Sequence, residues 1–164
     1  MTLDPDQHAR SLGRTGASTG DRTARTLALV VGATFLLVGV LGFVPGITTG
    51  YDDLGFAGHH SEAKLLGLFQ VSVLHNLLHL ALGLAGVLLA RRADTAVRYL
   101  VGGGVAYLGL WVYGLAVDHH SDANVIPLND ADNWLHLVLG VGMVALGVLA
   151  HRALRGGIGS QTPM

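Results

Sequence analysis

Residues Thr26–Val44 read TLALVVGATFLLVGVLGFV, a run with no charge and no polar stripe. A helix of a soluble bundle carries polar residues at helical spacing along its outer face. This run offers none, and its length fits the roughly 20 helical residues that cross a bilayer. Three further runs are long and apolar, Leu65–Ala90, Ala96–Val117 and Asn133–Ala150, with Arg98 near the start of the third and histidine and asparagine interrupting the second and the start of the fourth. Composition agrees, with 51% hydrophobic and only 13% charged residues. Soluble domains carry about twice that share of charge. The expectation is an all-α protein of four transmembrane helices, at about 26–44, 62–90, 96–117 and 131–151, with disordered tails at 1–25 and 153–164.

The first span follows Arg22 and Arg25, as a signal peptide would, but its apolar run exceeds the usual core of about 7–15 residues. It reads as a retained anchor. The chain has no cysteine, which excludes disulfides, thiolate metal sites and cysteine nucleophiles. A net charge of -1 gives no general attraction to nucleic acid, so the bilayer is the expected partner.

The arginines precede the first span (Arg10, Arg14, Arg22, Arg25), flank the junction of the second and third (Arg91, Arg92, Arg98), or follow the fourth (Arg152, Arg155). The positive-inside rule makes that side, with both termini, cytoplasmic. The opposite loops hold Asp52, Asp53, Glu62, Asp118, Asp122, Asp130 and Asp132 against one lysine, Lys64. Trp111, Tyr113 and Trp134 fall near those outer ends, where amphipathic rings favour the interface.

Those loops also contain a phrase used twice: GHHSEAK from Gly58 to Lys64 and DHHSDAN from Asp118 to Asn124. The duplication extends into the spans. NLLHLALG (Asn76–Gly83) and NWLHLVLG (Asn133–Gly140) agree at six of eight positions, and GATFLLVGVLG (Gly32–Gly42) parallels GVAYLGLWVYG (Gly104–Gly114). The simplest origin is a two-helix hairpin, duplicated. An even number of spans per copy keeps both copies in one orientation, related by a pseudo-two-fold axis along the membrane normal.

The run GFAGHHSEAKLLGLFQVSVLHNLLHLALG with DNWLHLVLGVGM resembles a family of small four-helix membrane proteins from actinobacteria, catalogued as a domain of unknown function. The resemblance covers about Arg25 to Leu149. It implies fold and membrane location and brings no activity with it.

Inside the spans, His75, Asn76 and His79 face Gly83 and Gly86 along one helix, and Asn133 and His136 face Gly140 and Gly147 along another. Small residues allow close helix approach in lipid, so the second and fourth helices are expected to touch along these faces. The polar side chains then serve as interhelical hydrogen bonds of about 0.6 kcal/mol each, or as functional groups, since ionisable residues at membrane depth are usually functional. A haem between His79 and His136 is disfavoured, because close glycine packing on the same faces leaves little room.

In the loops, Ser61 and Glu62 fit the start of the second helix, and Asp130 fits the cap of the fourth. Capping leaves the paired histidines unexplained. Four imidazoles, His59, His60, His119 and His120, with Asp118, Asp122 and Glu62, would suit Zn or Cu(II) if the loops converge. The same groups also suit pH sensing. No nucleophile constellation or phosphate loop is present, and GGG at Gly102–Gly104 reads as close packing inside a helix.

The leading expectation is therefore a non-enzymatic membrane component, an accessory to another membrane protein or to itself. The alternative is an outward-facing histidine metal or redox protein. Transport ranks last, because Leu80–Ala90 and Leu137–Ala150 offer no polar path.

Overall fold

The computed structural model describes residues 17–158, and residues 1–16 and 159–164 of the expected tails lie outside the described residues. The described residues form a bundle of four helices: α1 (Thr19–Leu41), α2 (Val73–Leu89), α3 (Ala93–Ala116) and α4 (Asp130–Ile158). Three of them, α1, α3 and α4, are long and apolar enough to cross a membrane; α2 is apolar but shorter, with 17 residues.

α1 begins before Thr26, at Thr19, because a capping box starts it there. The Ser18 hydroxyl accepts the Asp21 N–H at 3.1 Å while the Asp21 carboxylate accepts the Ser18 N–H at 3.0 Å. Around a few buried large side chains such as Phe35, Leu100 and Tyr107, the bundle buries small residues and turns many aliphatic ones outward. Ala24, Ala28, Ala96 and Ala150 are fully buried, whereas Val30, Val105 and Val138 are more than half exposed. That inversion suits a lipid surround, where packing rather than escape from water holds helices together.

The helices pair as two antiparallel hairpins, α1 with α2 and α3 with α4. In the first, a Cβ placed on Gly32 would lie 2.9 Å from both the Gly83 carbonyl oxygen and the Val87 nitrogen. In the second, a Cβ on Gly104 would lie 2.8 Å from the Gly140 carbonyl oxygen and the Val144 nitrogen. Gly42 abuts the Asn76 side chain, and Gly114 abuts Asn133 in the same way. α1 also packs on α4 and α3, while α2 and α3 meet only slightly.

This arrangement corrects the expected contact between the second and fourth helices, which share no substantial interface. Gly83 packs on Leu36 of α1, and Gly140 packs on Leu108 of α3. Each small stripe meets glycines of the helix it is joined to, so the closest approach falls within a hairpin. Gly86 likewise lies against Gly32, and Gly147 against Val101.

The second helix starts at Val73 rather than near Glu62. The preceding segment forms a three-stranded antiparallel sheet of two-residue strands, β1 (Thr48–Thr49), β2 (Lys64–Leu65) and β3 (Phe69–Gln70). Leu66 (φ 53°) and Gly67 (φ 70°) turn the chain between β2 and β3 in a left-handed conformation that no right-handed helix admits. Ser72, not Ser61, caps the helix by accepting the His75 N–H at 3.1 Å. Ser61 is buried inside the loop, donating to the Val71 carbonyl at 2.6 Å and accepting the Gly55 N–H at 3.1 Å. α4 is capped by Asn129 instead of Asp130: Asn129 accepts the Asp132 N–H at 2.9 Å, and Asp132 accepts the Asn129 N–H at 3.1 Å.

Candidate functional site

Residues 42–72 and 117–129 emerge at the same end of the bundle, and the backbone ties them together. The Gly58 N–H donates to the Val125 carbonyl at 2.8 Å. The second loop is held by Tyr113, whose hydroxyl donates to the Ala123 carbonyl and accepts the Val125 N–H at 3.2 Å. Buried Asn124 gives it a further brace, donating to the His119 carbonyl at 3.0 Å and accepting the Leu128 N–H at 3.3 Å.

The two His-His phrases therefore meet. The ligand atoms of His59, His60 and Asp122 all lie within 4.8 Å of one another. His59 and His60 stack with ring centroids 3.9 Å apart, and His59 Nδ1 lies 4.0 Å from Asp122 Oδ1. His59, Glu62, His119 and His120 line a common cavity of about 500 Å³ with Lys64 and Asp130. His119 Nε2 lies 3.0 Å from the Gly114 carbonyl, which can only accept, so the proton sits there. Its Nδ1 lies 3.9 Å from Asp130 Oδ1.

Of the expected loop set, His59, His60 and Asp122 converge on one point, and His119, His120 and Glu62 border the same cavity. Asp118 is engaged elsewhere: its carboxylate accepts the His120 N–H at 2.9 Å and its carbonyl accepts the Ser121 hydroxyl at 2.8 Å. Two imidazoles and a carboxylate make an N₂O donor set that Zn or Cu(II) accepts. Gln70 was not foreseen, because it fell within an expected span. It supports the site by donating to the Ser61 carbonyl at 2.8 Å and the His59 carbonyl at 3.4 Å.

A second polar group lies deep in the bundle. Phe35 of α1 stacks on Tyr107 of α3, and each meets a histidine edge-on: Phe35 with His79 at 5.7 Å and Tyr107 with His136 at 5.2 Å. The aromatic pair thus links His79 of α2 to His136 of α4. His79 Nδ1–H donates to the His75 carbonyl at 3.0 Å, the two imidazoles stack at 4.5 Å, and the Tyr107 hydroxyl lies 3.5 Å from His79 Nε2. His75 Nδ1 and His136 Nδ1 are buried without a hydrogen-bond partner, as are Asn76 Nδ2 and Asn133 Oδ1. Among the described residues, the intramembrane imidazoles do not bring three ligand atoms together.

Asp132 precedes Asn133 as His75 precedes Asn76, and it is 1% exposed. Asp132 accepts the Gln70 N–H at 2.9 Å as well as the Asn129 N–H, and so joins the loop sheet to α4.

The chain belongs to the family described as Domain of unknown function (DUF4383), whose model matches residues 25–149. That stretch takes in all four helices and both histidine loops. No curated protein and no solved structure matches the chain.

Proposed function

We propose that this membrane protein is a duplicated helical hairpin that presents a transition-metal site outside the plasma membrane, with both termini cytoplasmic. The observation that carries the metal reading is the approach of His59 and His60 from one loop to Asp122 from the other, all within 4.8 Å.

The duplication is supported by matched contacts: Gly32 on Gly83 and Val87 answers Gly104 on Gly140 and Val144, and Phe35 against His79 answers Tyr107 against His136. The orientation is supported by Arg22, Arg25 and Arg91, which border one cavity of about 410 Å³ at the end away from the histidine loops. The metal reading is preferred to an accessory or self-associating role because it rests on a convergence of side chains from separate segments.

Zn or Cu(II) would be held by an imidazole nitrogen from each of His59 and His60 and a carboxylate oxygen from Asp122, with His119 near enough in the shared cavity to orient a bound water. Elemental analysis of protein purified without a histidine tag tests this. About one equivalent of metal should remain after loading and desalting, and should be lost in the His59→Ala/His60→Ala double variant. Retention of less than about a tenth of an equivalent by the parent protein would end the proposal.

A further inference from the structure

We propose that the cavity between α2 and α3 is a binding site for a lipid-soluble quinone, a site separate from the metal loops. The proposal starts from an asymmetry. In a doubled hairpin the α2–α3 contact is the counterpart of α1–α4, yet α1 and α4 pack closely while α2 and α3 stand apart. The gap is a cavity of about 320 Å³, lined by His75, Leu78, His79, Ala106, Tyr107 and His136 among others. That volume lies at the lower end of the roughly 300–1,000 Å³ of small-molecule sites.

Its chemistry narrows the occupant. The walls are aliphatic and aromatic apart from the imidazoles and the Tyr107 hydroxyl. Leu78 and Ala106 are exposed on the outer face of the bundle, where lipid lies, so the ligand enters from the membrane. A charged headgroup is disfavoured, because an apolar cavity penalises charge heavily. A purely hydrocarbon ligand is disfavoured too. His75 and His136 line the cavity, and a hydrocarbon would offer their imidazoles no hydrogen-bond partner. An unmet buried polar group costs roughly 1–3 kcal/mol.

The fitting molecule is neutral, flat and hydrogen-bonding. A quinone ring offers carbonyl oxygens to an imidazole N–H, and its reduced form offers hydroxyls to an imidazole lone pair. Neutral histidine serves either form, since one ring nitrogen donates and the other accepts. The stacked His75 and His79 rings and Tyr107 supply aromatic surface for the ring. The two histidines come from different helices, α2 and α4, so one ligand would join hairpins that otherwise leave this gap.

The test uses the full chain in lipid nanodiscs, titrated with a short-tailed naphthoquinone and, separately, with a fatty acid and a fatty alcohol of matched chain length. Saturable binding of the quinone is expected. Affinity should fall at least about tenfold in His75→Leu and in His136→Leu. Ala106→Trp, at an exposed wall position, should abolish binding while leaving the unfolding temperature unchanged, which separates a filled cavity from a damaged fold. Absence of saturable quinone binding would overturn the proposal. So would equal affinity for the fatty acid or alcohol, or unchanged affinity in a folded Ala106→Trp variant.

Discussion

Phe35 and Tyr107 lie face to face with parallel planes and ring centroids 5.4 Å apart. They lie on α1 and α3, and each touches a histidine of its own hairpin, Phe35 that of α2 and Tyr107 that of α4; under the proposed duplication they are one position. A residue that stacks on its own repeat counterpart stands where a two-fold axis would pass. Under the duplicated-hairpin reading, α1 and α3 flank that axis and the histidine helices stand outside them.

The stack should therefore be a coupled pair. Phe35→Ala and Tyr107→Ala are each expected to cost about 3 kcal/mol through the cavity they leave. The double variant should cost less than the sum by about 0.5–1.5 kcal/mol. Equilibrium unfolding in mixed micelles measures this cycle, and additivity would show that the rings do not interact.

Glycines of the helices divide into two groups. A Cβ on Gly83 would lie 2.6 Å from the Leu36 backbone nitrogen, and one on Gly104 would lie 2.8 Å from that of Val144. Backbone cannot move aside as a side-chain tip can, so Gly83→Ala and Gly104→Ala should each destabilise by about 1–3 kcal/mol. Gly102, Gly109 and Gly142 would meet nothing within 4 Å. Alanine there should be neutral or gain up to about 1 kcal/mol in helix propensity. Thermal unfolding of the five single variants separates the groups.

Asp132 caps α4 and holds the Gln70 N–H of β3. Asp132→Ala should lose about 1–2 kcal/mol, and Asp132→Asn, which keeps an acceptor oxygen, should lose less. Amide exchange at Gln70 and Asn129 should quicken together in the alanine variant. Protection unchanged at Gln70 would mean that the loop sheet is held without α4.

Tyr113 ties the second histidine loop to the end of α3. Tyr113→Phe leaves the Ala123 carbonyl and the Val125 N–H without that hydroxyl, at a cost of about 1 kcal/mol. Val125 also accepts from Gly58, so loosening it should weaken the join between loops. The expected readout is a lower metal affinity with the bundle's unfolding temperature nearly unchanged.

The membrane character of the bundle was legible because runs such as Thr26–Val44 contain nothing that water could solvate. The proposed repeat rests on the sequence matches Asn76/Asn133 and His79/His136, which low-complexity leucine and glycine cannot mimic. The start of the second helix was not legible. Ser61 and Glu62 resemble a cap followed by an apolar run, yet Leu66 adopts a positive φ and Ser72 is the cap. Helix periodicity cannot distinguish a short apolar hairpin from a further turn of helix.

The glycine stripes were found, but their partners were misassigned, because spacing shows which residues share a face and not which helix that face meets. The loop cluster was half legible. The paired histidines marked it, while Gln70, Lys64 and Asn129 joined it only through the sheet and the α4 cap. The gap between α2 and α3 left no sequence signal, since it depends on how the two hairpins pack against each other.

The most direct test of the joined-loop metal site is electron paramagnetic resonance of the Cu(II)-loaded protein and two variants, one from each loop. The account predicts nitrogen coupling from two imidazoles, loss of one nitrogen in His59→Ala, and an altered spectrum in Asp122→Ala. A spectrum identical in the parent protein and both variants would contradict it.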